Sequence, residues 1–180
     1  MDLNYVIERL AANTGIFEGL AKTVNSELAI WKPAPDKWSI LEVVNHLYDE
    51  EREDFRQRLE LVLKDPALDW PPIAPKEWVT TRAYSERHLA ESLSNFLSER
   101  QKSLTWLRSL RSPNLESRHE REAGLLRAGD LLASWLAHDF LHIRQITRLH
   151  WQYLAANANP FQTEYAGPWQ ESWSPKLDLL

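Results

Sequence analysis

Two histidines stand four residues apart in AHDFLHIRQI, residues 137–146, within a run that otherwise reads as the inner face of a helix. At about 100° per residue, His138, His142 and Gln145 fall within about 60° of one another. They share a stripe with Leu131, Trp135 and Leu149. A buried imidazole needs both nitrogens satisfied, and two adjacent ones cannot comfortably both carry charge. A shared metal ion meets both demands. Two ordinary core histidines, bonded to nearby polar groups, are the other arrangement this spacing allows. The residue after His138 is Asp139 rather than glutamate, so the zinc-protease pattern HExxH is absent.

His46, in VVNHLYDEE, is a third candidate. Ile40, Val43 and Leu47 flank it, while Glu50 and Glu53 lie within about 40° of it on a helix. It either belongs to a semi-buried site or forms an exposed i, i+4 pair with Glu50. His88, His119 and His150 lack such surroundings and read as solvated or packing residues. Cysteine is absent, which excludes disulfides, thiolate ligands and a cysteine nucleophile.

The elements that must position these residues are helical. Four amphipathic segments, at 3–24, 39–64, 85–110 and 130–154, carry apolar residues at spacings of three and four. Ser39 followed by Glu42 is a capping box that starts the second helix, and Asp130 is the expected cap of the fourth. No run of alternating β-branched residues competes. An all-α, antiparallel four-helix bundle over residues 1–156 follows. The 65–84 connection is long enough to span a helix, so helices 2 and 3 can be parallel. The tail, 157–180, holds Phe161, Tyr165, Trp169 and Trp173 and is expected to pack on the bundle or at an interface.

At 180 residues with nine tryptophans the chain suits one domain with a substantial core. A net charge of -5 offers no electrostatic footprint for nucleic acid. No segment has the length of apolar residues needed to span a membrane, and the N-terminus lacks a leader pattern, so a cytoplasmic protein is expected. The apolar surface of a bundle with so many tryptophans predicts a homodimer.

The run W-S-x-x-E into H-L-x-D-x-E at 38–51, together with H-D-x-x-H-x-x-Q-I at 138–146, resembles the DinB-like superfamily of four-helix-bundle proteins, which includes the YfiT-type metalloenzymes. The resemblance implies a divalent metal held by His46, His138 and His142. Three imidazoles without thiolate suit zinc or nickel and leave a coordination position open. The family implies a metal-dependent transferase or hydrolase acting on a small molecule, with a low-molecular-weight thiol as a candidate partner. A non-catalytic helical metal-binding or interaction protein is the alternative. Asp49, Glu50, Glu53 and Gln145 are candidates to orient the ligands, and no general base stands out.

Overall fold

The computed structural model describes residues 2–169. Helix α1 is Leu3–Ala21, opened by Asp2, whose carboxylate accepts the Asn4 N–H at 3.0 Å. A short α2, Ser26–Ile30, follows. The expected second helix is one rod in three parts: α3 (Ile40–Glu50), a π-helical turn (Glu51–Phe55) and α4 (Arg56–Lys64). The capping box forms as expected. The Ser39 N–H donates to Glu42 Oε2 at 2.8 Å, and the Glu42 N–H donates to Ser39 Oγ at 3.3 Å.

The remaining long helices are α6, Leu89–Ser109, and α7, Ala128–Asn157. Asp130 does cap α7, but from inside its first turn. Its Oδ2 accepts the Arg127 N–H at 3.0 Å, and the N-cap is Arg127, three residues earlier than expected. The two long connections are also structured. Residues 65–84 contain α5, Pro75–Thr81, which begins on a proline whose missing N–H costs nothing at a first helical position. Residues 111–129 contain a β-hairpin, Arg118–Arg121 against Gly124–Arg127, that the sequence pattern does not predict. Its turn places Gly124 at φ +102°, a conformation that glycine reaches without strain.

Two core clusters give the helix directions. One joins the start of α1 (Val6, Leu10) to the end of the second rod (Leu59, Val62), the end of α6 (Leu104, Leu107) and the start of α7 (Leu131, Leu132, Trp135). The other joins Phe17 and Ala21 of α1 to Ile40, Val43 and Leu47 of α3, Leu93 and Phe96 of α6, and Ile146 and Leu149 of α7. The rod and α6 therefore run parallel, as the long crossover allows, and α1 and α7 run parallel in the opposite sense. The crossover packs on the rod. Tyr84 and Arg82 both reach Asp49, and Trp78 lies under the Arg82 guanidinium at 4.1 Å. In the tail, Phe161 and Tyr165 are exposed, Trp169 lies 5.7 Å from Trp151, and Trp173 falls outside the described residues. Among the described residues no helix is long and apolar enough to cross a membrane.

Candidate metal centre

Helices α3 and α7 face each other antiparallel, and three imidazoles meet between them. His46 Nε2 lies 3.2 Å from His138 Nε2, and His142 Nε2 lies 3.0 Å from the same atom. All three ligand nitrogens fall within 4.8 Å of one another. Among the described residues this is the cluster whose donor atoms could hold one ion. The i, i+4 spacing on α7 aligns His138 and His142 as the helical count predicts, and His46 arrives from the opposite wall. His46 is buried, while His138 and His142 on α7 are partly exposed.

Aromatic rings brace the cluster: Trp38 packs on His46 at 4.9 Å and Phe55 on His138 at 5.0 Å between centroids. Beside it lies a cavity of about 310 Å³ lined by Pro33, Trp38, Gln145, Arg148, Leu149 and Gln152. This cavity shares Trp38 and Gln145 with the surroundings of the triad.

All three imidazoles are neutral at ordinary pH. Burial, helped by the neighbouring His142, lowers His46 to about 3 against an opposing pull from Asp49. Burial, His142, His46 and Arg100 lower His138 to about 2. Burial lowers His142 too, although Gln145 and Asp139 resist. His142 Nδ1 lies 2.7 Å from Gln145 Oε1. That oxygen can only accept, so Nδ1 carries the proton and Nε2 presents its lone pair to the centre. Three neutral nitrogen donors converging at these distances fit a borderline divalent ion.

The other residues singled out in sequence divide. Gln145 holds His142, as described. Glu50 Oε1 lies 4.0 Å from His46 Nδ1. Asp49 is turned to the crossover, where it accepts from Tyr84 Oη at 2.6 Å and pairs with Arg52 and Arg82. Glu53 pairs with Arg82 at 2.6 Å rather than facing the histidines. The cause is the π turn that starts at Glu51. It breaks the 100° count that places Glu53 beside His46, and the side chain rotates off the stripe.

Next to the triad lies an ionic network that sequence reading misses. Arg100, fully buried, donates to both Asp139 oxygens at 2.7 Å and to Glu51 Oε1 at 2.9 Å. Asn13 Nδ2 adds a bond to Asp139 at 3.1 Å, and Trp135 Nε1 adds one to Glu51 at 3.0 Å. The available signal was a charge on an apolar stripe. Arg100 sits in line with Phe96, Leu104 and Leu107, and Asp139 in line with Leu132, Trp135 and Ile146. Each has to find a buried partner, and each is the other's.

These features have relatives. The family model of the DinB superfamily matches residues 9–146, more than half of the chain. The protein belongs to the DinB superfamily. Among solved structures it is similar to YfiT from Bacillus subtilis, described as a probable metal-dependent hydrolase with an unusual four-helix bundle topology. The two superpose with a TM-score of 0.75 at 17% identity, covering 84% of this chain and 87% of the other. At that identity the likeness shows the fold. Among curated proteins none matches the sequence.

Proposed function

We propose that this DinB-superfamily member is a metal-dependent enzyme that binds a divalent transition ion, zinc or nickel, through His46, His138 and His142, and acts as a hydrolase or thiol-dependent transferase on a small substrate. The observation that carries the reading is the convergence of three neutral Nε2 atoms within 4.8 Å, with His138 and His142 partly exposed. Three protein ligands, with a fourth position left for water or substrate, are the pattern of catalytic rather than structural sites. The ion, when bound, would supply Lewis acidity toward a water, thiol or carbonyl. YfiT's description as a probable metal-dependent hydrolase favours the same class.

The chain's own residues perform the other tasks. Gln145 fixes the His142 tautomer, and Trp38 and Phe55 limit the swing of His46 and His138. The cavity of about 310 Å³ beside Trp38 and Gln145 suits a molecule of small size. The decisive experiment is elemental analysis of untagged protein followed by turnover assays with small thiols, amides and model electrophiles. One metal per chain with metal-dependent turnover is expected. Absence of metal, combined with no uptake of zinc or nickel on titration, overturns the reading. Metal binding without turnover of any substrate would favour a non-catalytic role.

The reading includes a cytoplasmic homodimer. Phe140 and Leu141 stand exposed on α7 and Ile16 on α1, apolar side chains that a second copy could cover. Light scattering at micromolar concentration is expected to return twice the chain mass, and a monomer mass removes the dimer.

A further inference from the structure

Each of the other acids around the triad already has a donor. Asp49 accepts from Tyr84 and two arginines, Glu51 from Arg100 and Trp135, Glu53 from Arg82, and Asp139 from Arg100 and Asn13. Glu50 differs. It is 4% exposed, its Oε1 makes no hydrogen bond, and that oxygen points toward His46 Nδ1 at 4.0 Å. His46 Nδ1 is likewise buried and makes no hydrogen bond. Two orphaned polar atoms facing each other inside a protein are costly unless a further state joins them.

Metal binding defines such a state. For His46 to offer Nε2 to an ion, its single proton must sit on Nδ1, and a buried N–H needs an acceptor. His142 already has this arrangement through Gln145 at 2.7 Å. His46 has Glu50, one helical turn along the same face. We infer that Glu50 is the positioning residue for His46, accepting its Nδ1–H at Oε1 and so holding the imidazole with Nε2 toward the centre. This rests on the three-histidine metal reading above and adds to it the group that completes its most buried ligand.

Asp54, one turn further on, is close enough to raise the Glu50 carboxyl, and Arg58, a further turn on, pairs with Asp54 at 3.0 Å. His46, Glu50, Asp54 and Arg58 thus form a column at four-residue spacing along one rod. In this column Oε1, buried and without a hydrogen bond, faces His46, while the carboxyl also lies beside Asp54. Glutamine can do both jobs in the same shape. Its amide N–H₂ faces Asp54 and its carbonyl faces His46. A side chain without an acceptor can do neither.

The test compares zinc affinity of the native protein with Glu50→Gln, Glu50→Ala and Glu50→Leu, the leucine keeping volume if alanine fails to fold. The expectation is a loss of about 10- to 100-fold for Ala and Leu, the usual cost of removing such a partner. For Gln, affinity within a few-fold of native is expected. Nitrogen-15 NMR of histidine-labelled zinc protein reads the tautomer directly. His46 should carry its proton on Nδ1 in the native and Gln proteins. Native-like zinc affinity in Glu50→Ala or Glu50→Leu overturns the inference, as does a Gln variant as weak as these, or a His46 proton found on Nε2. A native protein that takes up neither zinc nor nickel instead overturns the three-histidine reading, a result distinct from the other three.

Discussion

At the scale of single residues, titration of the metal-free protein follows from how the site holds protons. In an unfolded chain a histidine takes its proton near pH 6.5, whereas the fold keeps His46 down to about 3 and His138 to about 2. Between those values the unfolded state binds protons that the fold refuses, so the contribution is complete above pH 6.5 and is lost as pH falls. Glu50 acts oppositely. Burial and Asp54 raise it from 4.5 to about 9, so its contribution is complete below 4.5 and is lost as pH rises through 9. Each proton of difference is worth about 1.4 kcal/mol per pH unit. Three imidazoles outweigh one carboxyl below neutrality. In chelator, the urea midpoint should therefore fall from pH 7 to pH 5, and Glu50→Gln should lie above native at pH 9. A flat acid arm or an unchanged alkaline arm would contradict these assignments. The histidine pair on α7 was legible because a regular helix preserves its count from His138 to Gln145. Glu53 was misplaced because a π turn interrupts that count. Arg100 was passed over because one arginine on an apolar stripe has meaning only beside a partner 39 residues away.

At the scale of elements, the buried network determines how α7 lies against the rest. Arg100 ties α6 to α7 through Asp139, to the π turn through Glu51 and to α1 through the Leu10 carbonyl at 3.3 Å. Asp139 adjoins His138, so this clamp also places a ligand. Arg100→Met would leave two buried carboxylates without their cation, and removing one partner of a buried ion pair typically costs about 3–5 kcal/mol. Urea unfolding should show a loss of that size, with weaker zinc binding in the fraction that remains folded. Arg100→Lys should recover only part of it, because an ammonium cannot reproduce the two parallel bonds to Asp139. A loss under 1 kcal/mol for Arg100→Met would mean the network contributes little. The four long helices, the capping box and the crossover were readable from apolar periodicity and connection length. The π turn, α2, α5 and the hairpin were not, because elements this short are stabilised by packing on the bundle rather than by patterns of their own.

At the scale of the whole molecule, the parallel arrangement of the rod and α6 brings α3 next to α7, two segments far apart along the chain. His46 and His138 are 92 residues apart and meet across that seam. An ion held by both would be a cross-link available only to the folded state, so it adds to stability in proportion to its occupancy. At a free metal concentration 100 times the dissociation constant the gain is about 2.7 kcal/mol. For a domain of this size that corresponds to a rise in melting temperature of roughly 5–10 °C. The three ligands should not share this effect equally. His138 and His142 sit on one helix, and an ion bound by them alone joins nothing that the backbone has not already joined. His46→Ala leaves that pair intact while removing the bond across the seam. Melting curves with zinc and with chelator should show the full rise in the native protein and only a small remainder in His46→Ala. If His46→Ala kept the full rise, the ion would not bridge the two helices, and the centre would belong to α7 alone.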